Sequence, residues 1–215
     1  AMCRNGVDNG KACAMVQHLT KEFSGFCHAC VGRHRHGVSD DTPAALLELA
    51  LYSEDALVQA TVDDVLAVIK IDSNSAGTFM STVLPKLIDA MSTGDVKACA
   101  VVQKLKMFPG FSQSCCHSSA ALVELILLHS EDANVQVTAD DVLAVIKADP
   151  NSAGSFVQSA LPTLIGAMST GSKSGADNAK ACAMMQQMKA FPRFSHAVVN
   201  SGGRYGSMDI PAALF

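Results

Sequence analysis

The chain has 215 residues, of which 49% are hydrophobic and 17% are charged, and its formal net charge is −4. The lack of a basic surplus argues against a nucleic-acid-binding face, and no apolar run reaches the roughly 18–20 residues that span a bilayer. Aromatic residues are sparse and tryptophan is absent, so the core must be built from Ala, Val, Leu, Ile and Met, which suits closely packed helices.

A long segment of the chain occurs twice. The stretch from Ser53 to Gly94 returns without gaps from Ser130 to Gly171, with roughly 30 of some 42 positions identical, which indicates tandem duplication. Shorter motifs extend the repeat, because Lys-Ala-Cys-Ala occurs three times and is followed each time by Phe-x-x-Phe and then by Ala-Ala-Leu. The sequence therefore predicts an all-α protein with two full repeats, A at 1–96 and B at 97–175, and a truncated repeat C at 176–215 that packs on B in one bundle-like array.

The apolar pattern predicts four helices in each full repeat. In repeat A the first helix covers about Lys11 to Phe23, and the second begins at Thr42, where the following proline is tolerated in the first turn. The fourth begins near Ser75, carries a continuous apolar stripe and ends at Gly94, a residue type that commonly terminates helices.

The third helix of the repeat is predicted to be short. Thr61 is the candidate cap, Asp63 and Asp64 then fall in the first turn, and the helix runs from Val65 to Lys70. Negative charge is favourable at a helix N-terminus because of the helix dipole. Capping therefore explains these paired carboxylates better than acid–base catalysis does.

The eight cysteines follow the repeat. Cys13 and Cys30 stand at the same repeat positions as Cys99 and Cys115, which predicts two disulfides, each tying the first helix of a repeat to the loop after it. Two such bridges indicate an oxidising compartment, either outside the cell or in an organelle lumen. The alternative is that Cys13, Cys99 and Cys182 are small buried core residues, as reduced cysteines often are.

One cluster carries metal-ligand types within ten residues, namely Cys27, Cys30, His34 and His36. Thiolates and imidazoles are the ligands that zinc prefers, but this spacing has no counterpart in the other repeats, and a disulfide beside a solvated loop explains it better. Cys115–His117 places a thiol beside an imidazole, yet sequence neighbours rarely reach the geometry of an activated nucleophile. No catalytic constellation is therefore expected.

The Ala-rich repeat and the segment Gly-Ala-Asp-x-x-Lys-Ala at 175–181 resemble peridinin–chlorophyll antenna proteins. The resemblance implies a pigment ligand or a photosynthetic partner. Small helical sterol carriers of the elicitin family are similar in their helical, cysteine-rich character, although their six-cysteine pattern does not map onto this chain. Neither resemblance assigns a site residue.

The function expected from these observations is that of a non-enzymatic scaffold subunit that docks on a larger assembly, such as a membrane-associated or photosynthetic complex. The end of repeat C is apolar and supplies the predicted interaction surface, which comprises Ile210, Pro211, Leu214 and Phe215. The alternative is a soluble carrier of an apolar ligand, either a lipid, a sterol or a pigment, held between helices. Apart from such a ligand, no cofactor is expected.

Overall fold

The computed structural model describes residues 6–22, 26, 31, 41–129, 131–169 and 175–202. This part of the chain contains eleven α-helices and no strand, which confirms the all-helical prediction. The first six helices are α1 (Gly6–Glu22), α2 (Asp41–Tyr52), α3 (Ala56–Ile71), α4 (Ser73–Ser92), α5 (Val96–Leu105) and α6 (Phe111–His117). The other five are α7 (Ser119–His129), α8 (Ala133–Ala148), α9 (Pro150–Ser169), α10 (Gly175–Met188) and α11 (Phe194–Gly202).

The chain divides into two compact units, 1–114 and 115–215. In the first unit α4 is the central helix and packs against α2, α3 and α5, while α1 packs against α3, and α2 also contacts α3 and α5. The first unit therefore includes α5, the helix with which repeat B begins.

The second unit has a similar arrangement around α9. That helix packs against α7, α8, α10 and α11, while α7 also contacts α8 and α10. Helix α10, with which repeat C begins, is thus packed on helices of repeat B, just as α5 is packed on helices of repeat A.

Repeat B contains five described helices, α5 to α9, so the prediction of four helices is wrong there. Helix α3 and its equivalent α8 both begin earlier than the sequence pattern predicts. Asp55 caps α3, and its carboxylate accepts hydrogen bonds from the backbone N–H groups of Leu57 at 2.9 Å and Val58 at 3.4 Å. Asp132 caps α8 in the same way. The predicted cap at Thr61 is wrong, because Thr61 is buried within the helix and its hydroxyl donates to the Leu57 carbonyl at 2.8 Å.

The two carboxylates after Thr61 consequently lie on the exposed middle of α3 instead of in its first turn. Asp63 forms an ion pair with Lys104 of α5 at 2.9 Å, and Asp64 accepts a hydrogen bond from the Gln17 side chain of α1 at 3.3 Å. They connect α3 to two neighbouring helices at the surface, where such contacts contribute little to stability.

The fourth helix begins at Ser73, and its cap is built from repeated residues. The Asp72 carboxylate accepts hydrogen bonds from the Asn74 N–H at 3.2 Å and from the buried Ser75 hydroxyl. Asp149 makes the equivalent bonds at the start of α9. At the other end of α4, Gly94 has φ +84°, the left-handed conformation expected of a glycine that follows a helix.

Candidate functional site: an apolar cavity in the first unit

The first unit contains a partly open cavity of about 200 Å³ between α1, α2 and α3. Its accessible surface is entirely apolar. The lining residues are Cys13, Val16, Phe26, Thr42, Leu46, Leu49, Val58, Thr61, Val62 and Val65.

Helix α3 supplies one wall through residues at the spacing i, i+3, i+4 and i+7, which places them on one face of a helix. These are Val58, Thr61, Val62 and Val65, and all four are buried. The Thr61 hydroxyl bonds to its own helix, so this residue needs no polar partner from the cavity. Valine and threonine are stiff at χ1, which favours a wall of fixed shape.

The opposite wall is supplied by α1, whose packing on α3 is incomplete. Cys13 is fully buried there, whereas Val16 is only half-buried. A gap with no polar group to hold water stays dry, and an engineered apolar cavity of about 150 Å³ in another protein binds benzene. The cavity can therefore hold a small apolar molecule.

The cysteines of the described residues are all thiols, and none is joined in a disulfide. The predicted bridge between Cys99 and Cys115 is therefore absent from the structure. Both residues are buried and fill core positions on α5 and α6, as a small apolar side chain would. Cys182 is exposed, so the alternative of three buried core cysteines holds for Cys13 and Cys99 only. The predicted partner of Cys13, Cys30, lies outside the described residues.

The Cys115–His117 segment does not show an activated thiol. Burial raises the pKa of Cys115 far above its usual range, and the neighbouring Cys116 adds to the effect. Burial also raises the pKa of Cys116, whose Sγ donates to the Ser152 carbonyl at 3.1 Å. A thiol must ionise to act as a nucleophile, so the raised pKa values disfavour reaction of both thiols at neutral pH.

Several predicted site residues lie outside the described part of the chain. These are the candidate metal ligands Cys27, Cys30, His34 and His36, and the predicted interaction surface Ile210, Pro211, Leu214 and Phe215. Among the residues that are described, no group of three or more His, Cys, Asp or Glu side chains is placed to hold a metal ion.

Within the same described ranges, no individual helix has both the length and the apolar composition to cross a membrane. Helices α6 and α7 meet these criteria only when taken together, with a bend of 81° between them.

Comparison of the chain with protein-family models, curated proteins and solved structures finds no match. The sequence patterns do not predict the cavity, because they single out Cys13 only as a disulfide partner or core residue and Thr61 only as a helix cap. The apolar face of α3 indicates that its residues are buried, but it does not show that the space beside them is left unfilled.

Proposed function

We propose that this protein is a non-enzymatic helical binding protein that carries a small apolar molecule in the cavity between α1, α2 and α3. The observation that supports the proposal is a cavity of about 200 Å³ whose accessible surface is entirely apolar. Binding there would remove ligand and protein surface from water at roughly 25 cal/mol per Å².

The size of the cavity limits the class of ligand. Sites for drug-sized ligands are usually about 300–1,000 Å³, so this cavity suits one or two hydrocarbon rings or a short acyl chain. A whole sterol or a large pigment exceeds it. With no polar group on the accessible lining, the site selects by shape and by lack of charge.

Naphthalene is a suitable probe, because the protein has no tryptophan to obscure its fluorescence. We expect saturable binding with one naphthalene per chain. Val62→Phe fills part of the cavity with an aromatic ring and should abolish binding. Val96→Phe makes the same change at an exposed position and should leave binding intact. Absence of saturable binding, or equal binding by all three proteins, would contradict the proposal.

We also propose that the chain is built as a tandem array of related helical modules. The proposal is supported by pairs of equivalent helices, since α3 and α8 both have 16 residues and begin at an aspartate cap, and α4 and α9 both have 20 residues. Each module supplies apolar faces that a neighbouring helix can cover, as is usual in repeat proteins.

A second candidate function is that of a scaffold subunit in a larger assembly, such as a membrane-associated or photosynthetic complex. It is favoured by large apolar side chains on the described surface, among them Met15, Ile71, Met107, Leu128 and Val199. Such residues become buried when a subunit docks on a partner. Size-exclusion chromatography of native extract should then place the protein well above its own mass of 22.4 kDa, and elution at the monomer position would exclude this candidate.

A further inference from the structure

The residue four positions before the cysteine of each Lys-Ala-Cys-Ala motif is an asparagine or an aspartate, namely Asn9, Asp95 and Asn178. In two of the three copies its side-chain oxygen has a hydrogen-bond donor. The Asp95 carboxylate accepts from the Lys97 backbone N–H at 2.9 Å, and Asn178 Oδ1 accepts from the Cys182 thiol at 3.3 Å. The motif thus places an acceptor at this position, and two copies supply its donor.

The remaining copy, Asn9 of α1, differs from the other two. Its Oδ1 is buried, and no donor among the described residues reaches it. Cys13 is the counterpart of Cys182, but its thiol does not bond to Asn9 as the Cys182 thiol bonds to Asn178. Buried polar atoms nearly always have a hydrogen-bond partner. The exception at Asn9 therefore calls for a donor that the described chain does not supply.

Asn9 lies on the face of α1 that forms a wall of the apolar cavity. Asn9, Cys13 and Val16 follow the spacing i, i+4 and i+7, which aligns them on one side of a helix, and the latter two line the cavity. Asn9 is one turn from Cys13, or about 6 Å along the helix axis. The unpaired oxygen and the cavity are independent observations, and they fall on the same face of the same helix.

We propose that Asn9 is the polar contact of the cavity ligand, and that this ligand is a small apolar molecule with a single hydroxyl group, which donates to Asn9 Oδ1. The inference rests on the proposed function, to which it adds a class of ligand. Asn9 is outside the accessible lining, so the hydroxyl has to pass Cys13, whose short side chain can turn about one bond. The hydrocarbon part then remains against the valines of α3.

An unpaired oxygen beside an apolar cavity selects for a neutral donor. A carboxylate offers only acceptors, so it would leave Asn9 Oδ1 unpaired. An ammonium group would give up its hydration in a cavity whose described lining includes no carboxylate, which is costly for a charge. A hydroxyl supplies the missing donor without a charge, and it is therefore the group that fits both observations.

The class of ligand is tested by comparing 2-naphthol with naphthalene, which has the same rings and no hydroxyl, in fluorescence titrations at pH 7. We expect wild type to bind 2-naphthol more tightly. The ratio of the naphthalene Kd to the 2-naphthol Kd should fall at least tenfold in Asn9→Leu, while naphthalene binds this variant no more weakly than wild type. Asn178→Leu makes the same change at the exposed equivalent in α10 and should keep the wild-type ratio.

Urea denaturation without ligand supplies a second measurement. Replacement of an unpaired buried oxygen by an apolar group removes a desolvation penalty, so Asn9→Leu should have a higher urea midpoint than wild type. A lower midpoint would show that the amide already has a partner and would overturn the inference. A ratio of Kd values that is unchanged in Asn9→Leu, or equally lowered in Asn178→Leu, would also overturn it. If naphthalene still binds in that case, the proposed function stands, whereas failure of wild type to bind either probe would overturn both.

Discussion

The ring of Phe79 on α4 lies 6.3 Å from the ring of Phe108 in the turn after α5. The second unit repeats the pair, with Phe156 on α9 and Phe191 after α10 separated by 6.2 Å. Each pair joins the last helix of one repeat to the first Phe-x-x-Phe residue of the next repeat. The packed unit therefore crosses the boundary at which the sequence repeat begins again.

Removal of this ring contact should destabilise the first unit strongly. Phe79 is almost fully buried, and truncation of a buried phenylalanine typically costs 3–5 kcal/mol. We expect Phe79→Ala to lower the free energy of unfolding by about that amount, measured by urea denaturation followed by circular dichroism. Ile71→Ala removes an exposed apolar side chain and should change stability by less than about 0.5 kcal/mol. A small effect of Phe79→Ala would mean that the ring pair does not hold α5 to α4.

Much of the helical content could be predicted, because the apolar positions of each segment recur with the period of a helix. The start of α3 could not, because both Asp55 and Thr61 are acceptable caps and local propensity does not rank them. The tertiary structure decides, since extending the helix back to Ala56 buries Val58 in line with Val62 and Val65.

The cavity could not be predicted, because a periodic apolar pattern shows which faces are buried but not how well they fill the space. Cys13 and Val16 lie on the side of α1 that meets α3, and the volume between them depends on how closely the two helices approach. The cysteine pattern was misleading for a related reason. Equal spacing of Cys13–Cys30 and Cys99–Cys115 is inherited by duplication and requires no bond between the members of each pair.

The turn between α5 and α6 depends on a glycine. Gly110 has φ +78°, and a Cβ atom added there would lie 3.0 Å from the Gly77 Cα of α4. Gly110→Ala therefore combines an unfavourable backbone conformation with a close contact, and we expect a loss of about 1–3 kcal/mol in unfolding free energy. Gly77→Ala is the control, because a Cβ atom on this helical residue meets nothing within 4 Å. It should be neutral or stabilise by up to about 1 kcal/mol. A larger loss of unfolding free energy in Gly77→Ala than in Gly110→Ala would contradict the close approach of Gly110 to Gly77.

Gln59 on α3 closes the end of α2. Its side-chain amide donates to the carbonyls of Leu49 at 3.0 Å, Ala50 at 3.2 Å and Ser53 at 3.0 Å, and so satisfies groups that a helix C-terminus leaves without partners. We expect Gln59→Ala to lower the free energy of unfolding, measured by urea denaturation, by about 1–2 kcal/mol. The amide of the equivalent Gln136 donates to the exposed Asp140 carboxylate on its own helix at 3.3 Å, a surface contact of the kind that contributes little to stability. Gln136→Ala should therefore cost less than half as much, and equal costs would refute the capping role of Gln59.

Burial of the cysteines predicts their order of reaction with a thiol reagent. Cys182 is exposed, whereas Cys13 and Cys115 are buried. With Ellman's reagent on the native protein at pH 8, we expect Cys182 to react within minutes and Cys115 to react only when the second unit unfolds. Peptide mapping assigns the labelled sites, and Cys182→Ser should reduce the rapid phase by one thiol per chain. Rapid labelling of Cys115 in native protein would show that the second unit opens far more readily than its packing indicates.

The raised pKa of Cys115 also predicts how stability changes with pH. In the native state burial keeps this thiol protonated, whereas in the unfolded chain it ionises above about pH 8.5. The unfolded state then binds fewer protons than the native state, so the free energy of unfolding falls as pH rises, by up to about 1.4 kcal/mol per pH unit for one such thiol. The contribution is fully present below pH 8.5 and is lost progressively above it.

Urea denaturation of wild type and Cys115→Ala between pH 7 and 10 should show a shallower decline for the variant. Val123→Ala truncates a buried residue that does not titrate and should keep the wild-type slope, so identical slopes in all three proteins would show that Cys115 ionises within the folded unit.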